Sequence, residues 1–347
     1  MIVFSVASVW HALVAKSISE AEGYKNAIYI LEPASQSVYE RVSLIVGEQN
    51  LFYLGEKKSG LKSGIEVLKL KLNPPINPLE IEQLYYFCPW SPYQRVFCHF
   101  SKNATIIRVE DGIRDYLDIP FDLHDKSLLN RSVKTLLGLS SFYEPDSSKY
   151  FLNDNALFFF PELLSEDFIK INSLQRYSRA LVGVLMGMGL TVEASKYLDG
   201  LNKNEKTLLF IGQSLCEDKS LSIEDECEIY GSYINQKLLS GNNVVFKPHP
   251  RTSKDKKKLL LEKIILSDKG KFLYIETNDM VEQLLVNYKF NEVVGLWSIP
   301  VLYSSFLFGV KAKSLMALAS NYASDAHISK IHTSLLNKFS IDYYDPL

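Results

Sequence analysis

Short apolar runs alternate with amphipathic segments throughout the second half of the chain. The run Thr207–Ile211 (TLLFI) has the length of a buried strand, and Ile229–Ser240 repeats its apolar residues at helical spacing until Gly241 ends the pattern. An unbroken strand–helix series is typical of a doubly wound parallel sheet. The pattern further predicts strands at Val244–Phe246, Phe272–Ile275 and Glu292–Val294, and helices at Lys254–Leu266, Met280–Asn287 and Ser298–Phe308.

The first half of the chain carries the same alternation with longer gaps. Helices are predicted at Pro78–Phe87 (PLEIEQLYYF) and Gln175–Leu190. From Pro120 to about Asn204 the alternation is largely lost, which indicates the end of one domain and a connector. The strands predicted in this half are Ile2–Ser5, Ala27–Leu31, Leu51–Leu54, Thr105–Val109 and Leu157–Phe160.

These patterns predict an α/β protein with two Rossmann-like domains. The length of 347 residues suits two domains of about 150 residues each. We expect a first domain at 1–165, a connector at 166–200, a second domain at 201–320, and a tail at 321–347 that packs back toward the first domain. Ligands of such sheets bind beyond the carboxyl ends of the strands, so the residues that follow each strand are the candidates, facing a cleft between the domains.

Composition and charge narrow the class of function. The net charge of −2 offers no basic field, which argues against nucleic acid as a partner. The four cysteines lie far apart without zinc-ligand spacing, so a reducing compartment is expected. The first residues do not have the pattern of a signal peptide, and the longest apolar stretch, Ala180–Leu190, is too short to span a bilayer. We therefore expect a cytoplasmic enzyme.

Two acids and a glycine, Glu110, Asp111 and Gly112, follow the predicted strand Thr105–Val109. Successive side chains of an extended backbone point to opposite sides, so one of the two carboxylates is expected to face substrate. A carboxylate at this place could deprotonate a sugar hydroxyl as a general base. The alternative is an ordinary turn whose acids face water.

The segment Lys247–Arg251 (KPHPR) follows the predicted strand Val244–Phe246. Its prolines fix the backbone, so His249 is expected to stand rigidly between two cations. Such a histidine could contact a phosphate and donate a hydrogen bond to it as it leaves. The alternative is a basic turn whose prolines only end the strand.

The segment Gly295–Ser298 (GLWS) follows the last predicted strand of the series. Ser298 is a good N-cap residue, and Pro300 is tolerated in the first turn of a helix. The backbone N–H groups at that helix start, together with the serine hydroxyl, could hold a phosphate. The alternative is a plain helix cap.

Together these three segments resemble the motifs of bacterial sialyltransferases, namely the polysialyltransferases of capsules and the lipooligosaccharide sialyltransferases. Glu110-Asp111-Gly112 resembles their D/E-D/E-G motif, His249-Pro250 their HP motif, and Gly295 to Ser298 their serine signature, in the family's order. The resemblance implies a GT-B fold and an inverting, metal-independent transfer without a cofactor. The donor would be a CMP-activated sialic acid or related nonulosonic acid, and the acceptor a hydroxyl of a capsule or lipooligosaccharide glycan.

The resemblance also implies roles for individual residues. Glu110 is favoured as the base on the acceptor hydroxyl, with Asp111 close behind. His249 would stabilise the departing CMP phosphate, which Ser298 would also bind. The family's P-x-E pattern, whose acid holds the ribose, is matched here by Met280-Val281-Glu282, with Met in the place of Pro. The donor-binding residues expected in addition to Ser298 and Glu282 are Gly112, Gly212, Gln213, Ser214, Lys247, Pro250 and Gly295.

Two further segments carry polar clusters. Asp122–Asp125 (DLHD) could imitate a metal site, but it is interpreted as a polar loop, so no metal is expected. Lys254–Lys258 (KDKKK) is interpreted as a solvated helix face. Its alternative interpretation is a patch for anionic lipid, which would give peripheral contact with the inner membrane.

Three other functions fit the same pattern. One is a CDP-glycerol-type phosphotransferase or another nucleotide-sugar transferase on the same fold, since a histidine–proline pair near phosphate would serve it too. A second is a sugar-nucleotide epimerase. A third is a non-catalytic binding subunit, although such a scaffold has no reason to keep Glu110, His249 and Ser298.

Overall fold

The computed structural model describes residues 1–89, 91–101, 103–112, 115, 155–161, 164, 170–201, 205–296, 298–322 and 342–343. These residues form two compact units, one ending at Val184 and the other beginning at Leu185. Each unit is built around its own sheet of parallel strands.

The sheet of the first unit has seven strands in the order β3-β2-β1-β4-β5-β6-β7. The order reverses between β1 and β4, and ligands of open α/β sheets bind at such a switch point, beyond the carboxyl ends of the strands. Strands β1 to β7 are Ile2–Val6, Ile28–Leu31, Leu51–Tyr53, Gln83–Tyr86, Thr105–Val109, Asn155–Phe158 and Lys170–Ser173, and helices α1 to α5 are Val9–Ala21, Gln36–Val46, Gly60–Leu72, Pro92–Phe100 and Ser178–Met188.

The sheet of the second unit has six strands in the order β10-β9-β8-β11-β12-β13, with its switch point between β8 and β11. Every residue of its central strand β8 is buried, as expected for a parallel sheet covered on both faces. Strands β8 to β13 are Thr207–Ile211, Asn243–Lys247, Phe272–Tyr274, Glu292–Gly295, Lys311–Ser314 and Asp342–Tyr343, and helices α6 to α11 are Val192–Asp199, Ile223–Leu239, Lys254–Lys263, Val281–Asn287, Ile299–Phe308 and Met316–Tyr322.

Most predicted strands are confirmed, with ends that differ by a few residues, but the helix predicted at Pro78–Phe87 is wrong. That segment forms a short 3₁₀ helix, Pro78–Glu80, followed by strand β4. Leu84, Tyr85 and Tyr86 are all buried, and β4 lies between β1 and β5 in the middle of the sheet. Aromatic residues favour such a position, and pairing on both edges outweighs the weak helical pattern.

The stretch 166–200, expected to be a connector, contributes to both units. Its strand β7 pairs with β6 in the first sheet, and Ala194 and Leu198 of α6 lie in the core of the second unit. In the tail 321–347, the described strand β13 pairs with β12 of the second sheet. The expected assignment of acceptor and donor to the two domains stays a prediction.

No described helix has by itself the length and apolar character needed to cross a membrane. The segments Leu174–Met188 and Val192–Asp199 reach that length only as a pair, bent by 93°.

Candidate active site

The carboxyl-terminal edge of the first sheet gathers titratable side chains from four neighbouring strand exits. His11 lies in the first turn of α1, which follows β1, and Glu32 follows β2 directly. Cys88 follows β4 and Asp111 follows β5. Because β2, β1, β4 and β5 are adjacent in the sheet, these side chains meet on both sides of its switch point.

His11 and Asp111 form the central pair of this cluster. The Nε2 of His11 lies 2.5 Å from Oδ1 of Asp111, while its Nδ1 accepts the Ala7 N–H at 3.2 Å. Because Nδ1 is an acceptor, the neutral ring carries its proton on Nε2 and donates it to the carboxylate. The imidazole is buried and stacks on Phe87, with ring centroids 4.4 Å apart, so its orientation is fixed.

Glu110 and Asp111 have different environments. Glu110 is 1% exposed, and its Oε2 accepts the Phe159 N–H at 2.8 Å. Its carboxylate therefore joins the exits of β5 and β6. The side chain of Asp111 is 18% exposed. Asp111 is thus the acid of this pair that solvent can reach, although the sequence favoured Glu110 as the base.

A buried ion pair holds the turn that carries Asp111. Asp115 accepts the Asp111 N–H on Oδ2 at 2.7 Å and Nη2 of Arg108 on Oδ1 at 2.8 Å. Burial raises the pKa of Asp115 to about 6, against the opposing effect of Arg108. Gly112 adopts a φ of 138°, which side chains rarely allow, so the turn requires glycine at this position.

Glu32 and Cys88 complete the cluster, and sequence inspection missed both, as it missed His11. Burial raises the pKa of Glu32 to about 7, even though the Ser91 hydroxyl donates to its Oε2 at 2.7 Å. Cys88 donates its thiol to Oδ1 of Asp111 at 3.3 Å, and burial raises the pKa of this thiol. Each of these residues stands at a strand exit, and that position was the signal that could have found them.

Within the described part of the chain, two groups of side chains have metal-ligating atoms close together, but their hydrogen bonds do not fit a metal. In the group of His11, Cys88 and Asp111, a metal on Nε2 would require Nδ1 to carry the proton, yet Nδ1 accepts an N–H. In the group of Cys216, Glu217 and Glu226, the ammonium of Lys256 lies 2.7 Å from Glu226 and supplies the positive charge. The segment Asp122–Asp125 lies outside the described residues.

The strand exits of the second sheet pack closely enough to require glycine. A Cβ on Gly212, after β8, would lie 2.9 Å from Cζ of Phe246 and 3.3 Å from Cα of Pro248. A Cβ on Gly295, at the end of β11, would lie 2.9 Å from Val301 and 3.3 Å from the carbonyl oxygen of Ile211. The turns after β8, β9 and β11 are therefore direct neighbours, and they carry the predicted donor-binding residues other than Gly112 and Glu282.

His249 has a defined orientation and charge state. Its Nδ1 accepts the Arg251 N–H at 3.2 Å, so the neutral ring carries its proton on Nε2. Burial lowers the pKa of His249, and the cations of Arg251 and Lys256 lower it further. The ring is therefore a neutral hydrogen-bond donor at neutral pH. Lys247, just before it, donates to the carbonyl oxygen of Thr277.

Arg251 is held by a neighbouring acid. Its guanidinium binds both oxygens of Asp218, at 2.6 and 2.9 Å, and donates to the Ser214 hydroxyl at 2.7 Å. Ser214 in turn donates to Asp218 at 2.9 Å. Hydrogen bonds thus tie the turn after β8 to the turn after β9.

Ser298 is the N-cap residue of α10, but its side chain makes no capping hydrogen bond. Its Oγ is buried and has no hydrogen-bond partner among the described residues. Ser304, further along the same helix, instead donates to the carbonyl oxygen of Pro300. Ser298 is therefore the serine with an open hydrogen-bonding capacity at the helix start; Trp297 beside it lies outside the described residues.

Glu282 lies in the first turn of α9 and is 8% exposed. The helix begins after Met280, whose N–H donates to Oε1 of Gln283 at 2.8 Å. α9 follows β10, so Glu282 belongs to the same edge of the second sheet as His249.

Comparison with known proteins adds a family and a fold. The family model for Alpha-2,8-polysialyltransferase (POLYST) matches residues 2–317 of the chain. None of the curated protein sequences matches it.

Two solved structures of UDP-GlcNAc 2-epimerases are similar to the chain. The enzyme from Neisseria meningitidis, bound to UDP-GlcNAc, is 11% identical with a TM-score of 0.54, and the match covers 97% of this chain and 91% of that one. The enzyme from Methanocaldococcus jannaschii is 15% identical with a TM-score of 0.50, covering 98% and 92%. At such identities the likeness shows the fold alone, which is of the GT-B type with two Rossmann-like domains, as predicted.

Proposed function

We propose that this chain, which belongs to the alpha-2,8-polysialyltransferase family, transfers a sialic acid or related nonulosonic acid from a CMP-activated donor to a glycan hydroxyl. The family and the fold support a sialic acid glycosyltransferase, and the proposal adds the donor, the acceptor and the residues that act on them. We assign the acceptor to the first domain and the donor to the second.

In this proposal Asp111 is the general base. It is the solvent-accessible member of the acid pair, and His11 fixes its Oδ1 through a hydrogen bond of 2.5 Å. Asp111 accepts the proton of the acceptor hydroxyl as that oxygen attacks the anomeric carbon of the donor sugar. Glu110, whose carboxylate bonds the Phe159 N–H, supports the turn from inside.

His249 stabilises the phosphate of CMP as the bond from the anomeric carbon to the phosphate oxygen breaks. Its Nε2–H is available because Nδ1 is already an acceptor, and this single observation carries the proposal. A neutral donor aimed at developing negative charge lowers the barrier without requiring a proton to be gained first. The Ser298 hydroxyl and the N–H groups at the start of α10 bind the same phosphate.

The reaction balances with these groups alone. The acceptor oxygen forms the new glycosidic bond, the donor sugar–phosphate bond breaks, and CMP departs with its electron pair. The acceptor proton goes to Asp111. Gly212, Gln213, Ser214, Lys247, Pro250, Glu282 and Gly295 surround the nucleotide in this proposal, and Gly112 shapes the turn of the base.

The cellular setting follows from the donor and the acceptor. CMP-activated sugars are made inside the cell, so we place the reaction in the cytoplasm, with peripheral contact to the inner membrane where a capsule or lipooligosaccharide acceptor would be extended. Neither nucleic acid nor a cofactor enters the proposal.

A donor panel tests the proposal. Purified protein is incubated with CMP-sialic, CMP-legionaminic and CMP-pseudaminic acids and with CDP-glycerol, each with and without an oligosialic acceptor, and released nucleotide and glycan products are measured. We expect acceptor-dependent CMP release with one CMP-nonulosonate, slowed by about 10²–10³-fold in His249→Ala and kept in the surface control His99→Ala. Turnover of CDP-glycerol alone, rearrangement of a nucleotide sugar without acceptor, or no turnover of any donor would contradict the proposal.

A further inference from the structure

Lys256 is a buried cation in a segment that the sequence presents as a solvated helix face. Its side chain is 2% exposed, whereas that of Lys258, two residues further on, is 78% exposed. The expectation of a solvated Lys254–Lys258 face is therefore wrong at Lys256. The reason is Glu226 on the preceding helix, whose carboxylate is fully buried against the Lys256 ammonium at 2.7 Å.

Three donors converge on the carboxylate of Glu226. The Tyr230 hydroxyl donates to Oε1 at 2.6 Å, and the Cys216 N–H donates to Oε2 at 2.8 Å. The Lys256 ammonium is the third donor and also pairs with Glu217 at 3.1 Å. Because a buried carboxylate is stable only when its lone pairs are satisfied, this network has one preferred geometry.

The network fixes both backbone polar groups of one residue, Gln213, in the turn after β8. The Gln213 N–H donates to the Tyr230 hydroxyl at 2.9 Å, and the Gln213 carbonyl accepts the Lys256 ammonium at 2.6 Å. Two further N–H groups bond the same acids: that of Cys216, which follows the turn, bonds Glu226, and that of Ser253, at the start of α8, bonds Glu217 at 2.9 Å.

We propose that Lys256, Glu226 and Tyr230 are positioning residues that fix the Gly212–Ser214 turn in the geometry that binds the CMP moiety. This inference rests on the proposed function, because the turn is assigned to the donor there. Fixing both polar groups of Gln213 before the ligand arrives removes the entropy cost of ordering the turn on binding. The three residues act through the turn and do not touch the reacting atoms.

Lys256 also links the network to His249. The charged groups that act on His249 are Arg251 and Lys256, which lower its pKa, and Asp218 and Glu217, which raise it. Loss of the Lys256 charge therefore moves the pKa of His249 upward. The His249 pKa therefore reports whether the Lys256 charge is felt at the turn after β9, whereas CMP affinity and Gln213 amide exchange report the positioning role.

Three variants test the inference. Tyr230→Phe removes one hydroxyl and keeps the packing. The double variant Lys256→Met/Glu226→Gln removes both charges of the buried pair and leaves Glu217 with the Ser253 N–H as its donor. Lys258→Met is the matched control on the same helix. CMP affinity is measured by calorimetry, and the His249 titration and the Gln213 amide exchange are measured by NMR.

We expect Tyr230→Phe to weaken CMP binding about tenfold, the usual effect of losing one hydrogen bond, without changing the KM for acceptor. The double variant raises the pKa of His249, and Lys258→Met changes neither quantity. If both variants melt earlier but bind CMP like the wild type, the network is purely structural and the inference is wrong.

The inference and the proposed function fail separately. If the wild type binds no CMP, the proposed function fails. Whether the network fixes the turn is then measured in the absence of ligand. Faster exchange of the Gln213 amide in Tyr230→Phe supports the fixing of the turn by the network, and unchanged exchange overturns it.

Discussion

The two sheets present different chemistry at the same structural place. The carboxyl edge of the first sheet carries a carboxylate bonded by a neutral histidine, with a second carboxyl whose pKa burial raises to about 7. The edge of the second sheet carries cations, hydroxyls and a histidine whose pKa is lowered. In the proposed reaction the first edge accepts the proton and the second binds the phosphate, so the same fold is used for two different tasks.

Removing the proposed base is expected to have the largest effect. Asp111→Asn keeps the shape of the side chain but cannot accept a proton, so transfer should fall by about 10²–10⁴-fold. CMP affinity should stay unchanged, because the donor contacts belong to the other edge. Transfer rates and CMP binding of the purified variant check both statements.

Glu110→Gln is the matched control for that variant. It keeps an acceptor for the Phe159 N–H, so transfer should remain within a few-fold of wild type while stability decreases. If Glu110→Gln is instead the severe variant and Asp111→Asn transfers normally, the base is Glu110, as the sequence first favoured.

Removing His249, the proposed hydrogen-bond donor to the phosphate, is expected to lower the transfer rate nearly as much. His249→Ala should slow transfer by about 10²–10³-fold, the scale for losing one donor to developing negative charge. The fold should persist, because the half-buried ring bonds only a backbone N–H in its own turn among the described residues. Turnover is compared with that of His99→Ala, and near-normal rates in His249→Ala would reduce the residue to a part of the turn.

Replacing His11 is expected to lower the transfer rate by a smaller factor. His11→Ala removes the donor that orients Asp111, so kcat should fall by about tenfold while the KM for donor stays the same. His11→Gln, which can still present an N–H, should recover part of the rate. Equal rates for wild type and both variants would show that the Asp111 carboxylate needs no partner.

The pH dependence of the free energy of unfolding tests the environment of Glu32 at the carboxyl edge of the first sheet. The folded pKa of Glu32, about 7, lies above its usual 4.5, so its stabilising contribution is complete below pH 4.5 and is lost as the pH rises through 7. Gln cannot ionise at this position. The free energy of unfolding of Glu32→Gln should therefore exceed that of the wild type by up to about 3 kcal/mol as the pH rises between these values. Thermal melts of both proteins from pH 4 to pH 8 measure this difference, and parallel curves would contradict it.

The sequence predicts the strand–helix alternation and the position of all three named segments at the ends of β5, β9 and β11, because both depend on local patterns. His11, Glu32 and Cys88 could not be found this way, since they become neighbours of Asp111 only through the order of β2, β1, β4 and β5 in the sheet. Lys256 was misjudged because its counter-ion Glu226 lies on another helix and no local pattern reports that pairing.

The central claim is that the nucleotide binds at the second edge and the base stands at the first. The most direct measurement is an NMR titration of the wild type with CMP, using histidine-labelled protein and assigning the ring signals with His249→Ala and His11→Ala. We predict that CMP shifts the ring signals of His249 and leaves those of His11 unchanged, while UDP at the same concentration shifts neither. Perturbation of His11 without His249, or binding of UDP in preference to CMP, would contradict the account.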